Sequence, residues 1–392
     1  MSWSNVALST LVDIKGGGTP SKANPEYWNG SIPWASVKDF KSSDLNGASD
    51  YITQEGIDNS ATSLIPRGNL IVPTRMALGK IAINSVDIAI NQDLKALIIK
   101  DESVVDTEYL FRCIQSKSEE IVRQGKGATV KGITVDVLKN LQIPLPPLET
   151  QKQIAAVLEK ADQLRKDCQQ MEQELNSLAQ SVFIDMFGDP VTNPKGWEIV
   201  TIGDLLLSAN YGTSEKASTE KKKYPVLRMN NITYEGNWDF SSLKYMDMSE
   251  DDEDKYLVES GDILFNRTNS KELVGKTAVY REATPMAYAG YLVRARCNEL
   301  AHPEYISSFM NSRFTKKTLQ SMCKSIVGMA NINAKEFQKI SVAKPPIELQ
   351  QEFARRVEAI RAEVEATKQQ GYEYDHLFNS LMQKAFKGEL TL

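Results

Sequence analysis

Cysteine and histidine are scarce: four cysteines and two histidines in 392 residues. Cys113, Cys168, Cys297 and Cys323 are too few and too scattered for a disulfide framework or a zinc site. Cys168 falls on a helix seam, where it packs as a small hydrophobe. No apolar run approaches the roughly 20 residues of a membrane span. The opening Met1-Ser2-Trp3-Ser4-Asn5 lacks both the basic start and the apolar stretch of a signal peptide. A cytoplasmic, reduced, metal-free protein with no membrane partner is expected.

A strong charge of one sign is also missing. The formal net charge is −5, which at first argues against nucleic acid. Its distribution matters more than its total. Residues 1–147 carry −1 and 191–346 carry +2, whereas 148–190 carry −4 and 347–392 carry −2. The acidic excess therefore lies on two segments, and a local basic face elsewhere stays open, because phosphate binding needs clustered rather than net charge.

What the sequence does have is a duplication. Trp3 to Leu8 returns as Trp197 to Ile202, and Gly18-Thr19 returns as Gly212-Thr213. Leu64 to Ile71 returns as Leu257 to Leu264, and Gly79-Lys80-Ile81 as Gly275-Lys276-Thr277. Pro146-Pro147-Leu148-Glu149-Thr150-Gln151 returns as Pro345-Pro346-Ile347-Glu348-Leu349-Gln350. A period of about 200 residues is a duplicated domain, far longer than a solenoid unit.

Each half ends in a heptad segment. In the first, Ile154, Val157, Ala161, Leu164, Cys168, Met171, Leu175, Leu178 and Val182 step by 3 and 4. In the second, Phe353, Val357, Ile360, Val364, Thr367, Gly371, Tyr374, Phe378, Leu381 and Ala385 do the same. Each follows a Pro-Pro pair that blocks an earlier helix start. Glu149 and Glu348 then sit in the first turn, where the helix dipole favours an anion. Leu145-Pro146-Pro147 also fits a polyproline ligand, but a helix begins at once. The order lobe, helix, lobe, helix predicts two helices running antiparallel about a two-fold axis. About 37 residues at 1.5 Å each make a rod of roughly 55 Å. An intermolecular coiled coil joining two chains is the competing arrangement.

Within the lobes, Asn69–Val72, Lys80–Ile83, Leu94–Ile99, Asp262–Phe265 and Thr277–Tyr280 read as strands. Thr107–Val122 and Pro303–Gln320 read as amphipathic helices. The expected fold is α+β: two similar mixed α/β lobes, 1–147 and 191–346, separated by long antiparallel coiled-coil helices, 148–190 and 347–392.

These features together resemble the specificity subunit of a type I restriction–modification system, and the likeness covers the whole chain. The most specific matches are Leu145 to Ile154 and the C-terminal Leu381-Met382-Gln383-Lys384-Ala385-Phe386-Lys387-Gly388-Glu389-Leu390. The join Phe187-Gly188-Asp189-Pro190 and the following Asn193 to Trp197 are similar as well. Gly261 to Thr268 resembles a strand and loop of the family's recognition domains. Its counterpart Gly68 to Arg75 departs by displacing the arginine one position. The resemblance implies a non-catalytic reader of double-stranded DNA, each lobe taking one half of an asymmetric bipartite site. It implies that the helix pair sets the spacer and docks two methyltransferase subunits, with a motor–nuclease subunit joining the complex. S-adenosylmethionine, ATP and magnesium would then belong to those partners, with no cofactor on this chain.

Missing motifs agree with a non-catalytic chain. Gly275-Lys276-Thr277 imitates the end of a Walker loop, but the required earlier glycine is Ser270. Neither His302 nor His376 has a nucleophile at motif spacing. Glu250-Asp251-Asp252-Glu253-Asp254 reads as a solvated loop, since five adjacent carboxylates cannot converge on one ion. A nucleotide hydrolase using Lys276 is the enzyme rival, and a two-lobed protein-binding scaffold is the non-enzyme one. Arginine, lysine and amide side chains in loops suit major-groove edges. The candidates are Lys38, Lys41, Arg75, Lys126 and Lys131 in the first lobe, and Arg228, Asn230, Asn231, Arg267, Asn269 and Lys324 in the second. Gly125 to Gly132 reads either as a phosphate-approaching turn or as a flexible surface loop. Lys221-Lys222-Lys223 suits steering of phosphates rather than base reading.

Overall fold

Short β-branched runs punctuated by glycine build the same pair of sheets twice. The computed structural model describes residues 3–322, 324–326 and 329–391; Cys323 lies outside them. In the first lobe one sheet has the order Val12–Gly16, Leu94–Ile99, Leu70–Pro73, Ala82–Asn84, Asp44–Leu45. The other runs Asp50–Ile52, Trp28–Ala35, Ile88–Ile90, Ser63–Ile65, with a parallel pair at its centre. The second lobe repeats both, the first sheet without its Asp44–Leu45 edge strand: Leu206–Tyr211, Leu292–Cys297, Ile263–Asn266, Thr277–Val279, and Lys244–Met246, Tyr224–Leu227, Met286–Tyr288, Leu257–Val258. Its central pair is parallel too. Inward residues such as Leu70, Val72 and Leu97 in one lobe, and Ile263, Phe265 and Val293 in the other, form the cores. Their burial is the main stabilising term.

Two expected helices are each broken once. Thr107–Ser116 ends at Lys117 and restarts as Ser118–Arg123. Pro303–Asn311 ends where Ser312 turns extended, and the Ser312 hydroxyl then accepts the Thr315 N–H at 3.2 Å. A serine that prefers capping to continuing explains that second break. The acidic run forms the helix Glu250–Tyr256 rather than the expected loop. Four carboxylates in its first turn complement the N-terminal dipole.

The chain divides into two compact units, residues 1–169 with 369–392, and residues 170–368. Each unit therefore holds one lobe and part of both long helices, Leu148–Phe187 and Ile347–Lys387. In the first unit Arg165 Nε donates to Asp375 at 2.6 Å, and a Cβ on Gly371 would lie 3.8 Å from Cys168. In the second, Lys368 is 4.0 Å from Glu172, and the Phe183 ring lies 5.7 Å from Phe353. Within each unit, rising numbers on one helix meet falling numbers on the other, so the pairing is antiparallel. This intrachain pairing answers the alternative of an intermolecular coil.

The seam of the second helix is as expected, with Phe353, Val357, Val364 and Phe378 buried and Ile360 and Leu381 partly so. The first helix corrects the expectation at alternate positions. Ile154 and Ala161 are buried and Leu175 half-buried. Val157, Met171 and Leu178, however, are 37%, 50% and 45% exposed. Leu158, Arg165, Glu172 and Ala179 are the more inward neighbours, and Leu164 is only partly covered. The packing of Leu158 into the first lobe's core and the Arg165–Asp375 pair turn the helix by about one residue.

Candidate nucleic-acid interface

A shared clamp fixes each lobe to the long helix that follows it. Gln151 is fully buried; its Oε1 accepts the Asp106 N–H at 3.0 Å, and its Nε2 donates to the carbonyls of Val104 and Pro146. Gln350 does the same with the His302 N–H at 2.8 Å and the carbonyls of Leu300 and Pro345. The repeated Pro-Pro-x-x-x-Gln thus joins the start of a lobe helix to the first turn of a long one. His302, whose Nδ1 accepts the Glu304 N–H, is a helix cap.

Backbone pairs also show which turns correspond. Thr74 N–H donates to the Asp93 carbonyl and Ile133 N–H to that of Thr74. Arg267 N–H donates to the Tyr291 carbonyl and Ile332 N–H to that of Arg267. Thr74 is therefore the counterpart of Arg267, Arg75 of Thr268, and Met76 of Asn269. That agrees with the one-position displacement of the arginine read from the sequence, whereas the glycine turn corrects the sequence reading. A Cβ on Gly17 would meet the Ile90 carbonyl oxygen at 2.0 Å, and one on Gly212 that of Tyr288 at 2.3 Å. Gly17, rather than Gly18, corresponds to Gly212.

In the first lobe the chain brings three of the five candidates together. Arg75 bridges Gly132, and Lys126 and Gly132 exchange two hydrogen bonds of 2.9 Å. The Met76 N–H donates to the Lys131 carbonyl at 3.2 Å. Arg75, Lys126 and Lys131 are all exposed, and the Gly125–Gly132 segment is a bridged turn rather than a loose loop. The Arg75 guanidinium is 3.6 Å from Asp93, which leaves it a partly exposed cation on a fixed base. Lys38 and Lys41 lie elsewhere in this lobe. Lys38 donates to Asp50 at 2.8 Å, and that hydrogen bond raises its pKa.

In the second lobe Arg267 and Asn269 lie two residues apart in the corresponding turn, either side of Thr268. The Arg267 guanidinium stacks on Tyr211 at 4.8 Å and donates to the Gly290 carbonyl at 3.2 Å. Asn269 pairs with Ala330 and Thr268 with Asn331. The backbone of Lys324 pairs with Asn331 in the same small sheet, while its side chain lies outside the described ones. Arg228 and Asn231 are committed to their own loop. Arg228 Nη2 donates to the Ser242 carbonyl at 2.6 Å, and buried Asn231 accepts the Arg228 N–H and donates to the Asp239 carbonyl. The sequence singled out Asn231 for base edges, but burial removes it from solvent; Asn230 beside it is exposed. Lys222 lies 3.5 Å from Asp247 and Lys223 2.7 Å from Glu253, so two of that lysine run are neutralised locally.

The Gly-Lys turns are tied into their own lobes. Lys80 Nζ donates to the Phe40 carbonyl at 2.9 Å, and buried Lys276 Nζ donates to the Ile232 carbonyl. Gly79 and Gly275 precede them with φ of 82° and 83°, a left-handed turn that suits glycine. Among the described residues no three His, Cys, Asp or Glu side chains gather to hold a metal. Nor, among them, is any helix long and apolar enough to cross a membrane.

Comparison with known proteins was consistent with this geometry. Residues 1–177 and 194–373 match the type I restriction modification DNA specificity domain. The chain is 28% identical over 252 residues to the type I restriction enzyme MjaIX specificity subunit of Methanocaldococcus jannaschii, covering 59% of this chain and 58% of that one. It is 25% identical over 315 residues to the EcoKI specificity subunit of Escherichia coli K12, covering 75% of this chain and 68% of that one. The type I S subunit structure from M. genitalium has the same fold, with a TM-score of 0.59 at 15% identity over 98% of this chain and 96% of that one. A structure from a study of type I complex assembly and conformational transition scores 0.61 at 18% identity, covering 99% and 98%.

Proposed function

The chain belongs to the type I restriction modification DNA specificity family, and from that premise we propose that it is the sequence-reading, non-catalytic subunit of a type I restriction–modification complex. Each lobe reads one half of an asymmetric bipartite duplex. The carrying observation is that two lobes built alike each present their own turn on the same backbone frame, one with exposed Arg75, Lys126 and Lys131 and the other with Arg267 and Asn269. Direct readout draws on arginine and amide side chains, while the lysines fix register on phosphates. Away from these turns, Lys38 and Lys41 in the first lobe and Asn230 in the second add further exposed contacts, and buried Asn231 holds the Asn230 loop in place.

The paired helices set the separation of the half-sites and dock two adenine methyltransferase subunits. Val157, Leu164, Met171 and Leu178 recur every seven residues along one side of the first long helix, exposed at all but the partly covered Leu164, a spacing that suits a partner helix. S-adenosylmethionine, ATP and magnesium act on the partner subunits, and a motor–nuclease subunit joins through the complex, in the cytoplasm. The test is electrophoretic competition by the chain assembled with its methyltransferase. One bipartite duplex should be retained with a steep salt dependence. A shallow slope without preference among duplexes would support a protein-binding scaffold instead. Deleting seven residues from both helices should shorten the preferred spacer by ~10 Å, about three base pairs. Replacing residues 191–346 with another lobe should alter one half-site only.

A further inference from the structure

Met76 is a non-glycine residue with φ of 65° and 59% exposure. The Ala77 N–H donates to the Arg75 carbonyl at 2.8 Å, closing a three-residue turn with Met76 at its apex. A left-handed conformation costs a non-glycine residue about 1–3 kcal/mol, and such strain gathers where a side chain has a task. A single exposed apolar residue needs no explanation by itself. Here, though, the strained apex belongs to the segment that carries Arg75 and is hydrogen-bonded to Lys131. Its counterpart in the other lobe is Asn269. One backbone station therefore presents a thioether in one lobe and an amide in the other. Those two chemistries suit the two edges of one base pair: apolar groups meet the C5 methyl of thymine, and asparagine matches N6 and N7 of adenine.

We propose that Met76 determines specificity in the first half-site by packing against the C5 methyl of one thymine in the major groove. The inference rests on the DNA-reading function proposed above. It is tested with the full chain assembled with its methyltransferase, on duplexes in which each thymine of the first half-site is replaced in turn by uracil. Uracil lacks only the methyl. At one position the wild type should lose about fourfold in affinity, the worth of one methyl-sized apolar group. In Met76→Ala and Met76→Gly that thymine-to-uracil ratio should fall to about one, with second-half-site preference unchanged. Glycine suits the positive φ, so Met76→Gly should melt at or above the wild-type temperature, which separates the loss from misfolding. A first half-site with no specified A·T pair, or an equal uracil penalty in wild type and both variants, overturns the role of Met76 while bipartite recognition stands. Absence of any bipartite preference in the wild type overturns the DNA-reading function itself, and this inference with it.

Discussion

The two units anchor their lobes with the same backbone clamp but with opposite charges. Asp162 and Arg361 both lie eleven residues after their clamp glutamine and so occupy equivalent places. Asp162 accepts from buried Arg112 of the first lobe at 3.1 Å. Arg361 instead donates to Glu304 of the second lobe at 2.7 Å, beside Arg281 at 2.6 Å. The glutamine clamp reaches carbonyls and N–H groups that any side chain leaves unchanged, so the duplicates keep it. The ion pairs depend on both partners, and both partners differ between the copies. A lobe is thus matched to its own helix by charge, and the wrong pairing would bring like charges together.

The sharpest way to break that match is Asp162→Arg. The native carboxylate is held by Arg112, Arg165 and Lys166, all within 3.1 Å. An arginine there would confront three cations, and we expect a loss of about 5 kcal/mol, the scale of a disrupted buried pair. Denaturant unfolding would register it in the first unit, and Arg112→Glu on the same background should restore part of the loss. No recovery in the double variant would mean that charge does not match lobe to helix.

Glu304→Gln probes the opposite arrangement and should cost less, about 2–3 kcal/mol, because an amide still accepts a hydrogen bond. Burial alone would raise the Glu304 carboxyl. Hydrogen bonds and charge from Arg281 and Arg361 outweigh that and hold its pKa at about 2, below the ordinary 4.5. A depressed carboxyl stabilises the fold fully above its unfolded pKa and loses that contribution as pH falls. The gap between wild type and variant should therefore be complete above pH 4.5 and close as pH drops toward 2. A gap that stays constant across that window would assign the loss to packing instead.

The clamps offer the matched control. Gln151→Leu and Gln350→Leu each orphan one fully buried proline carbonyl and two groups that water can reach. Each should cost about 1–3 kcal/mol, and the two should agree. Unequal losses, read by thermal unfolding, would show that the copies have diverged in their backbone contacts as well.

Much of this was legible in the sequence because duplication exposes whatever both copies share. Three strands of one sheet in the first lobe and two of its counterpart in the second, the Pro-Pro-x-x-x-Gln segment and the seam through Phe353 and Phe378 stood out on that ground, while the other sheet of each lobe did not. What differs between the copies was hidden. Nothing in the sequence pairs Arg112 with Asp162 at a separation of 50 residues. The glycine repeat read one residue out of register, because Gly17 and Gly18 are neighbours and only the Ile90 carbonyl distinguishes them. The positive φ of Met76 left no mark, since methionine carries no turn preference to read.

The smallest predicted stability effect belongs to Val157, on the first helix's seam as the sequence spaces it. Val157 and Leu158 are both apolar and adjacent, so a 3-then-4 step and a 4-then-3 step fit the sequence equally. Leu158 is fully buried in the first lobe's core, whereas Val157 is 37% exposed. Leu158→Ala should cost about 2–5 kcal/mol by opening a cavity. Val157→Ser should stay within about 0.5 kcal/mol, as an open surface site allows. The same serine should nevertheless weaken co-purification with the methyltransferase if the exposed stripe is its dock. Retained stability with retained assembly would remove Val157 from that dock, and a large stability loss would restore the seam first read from the sequence.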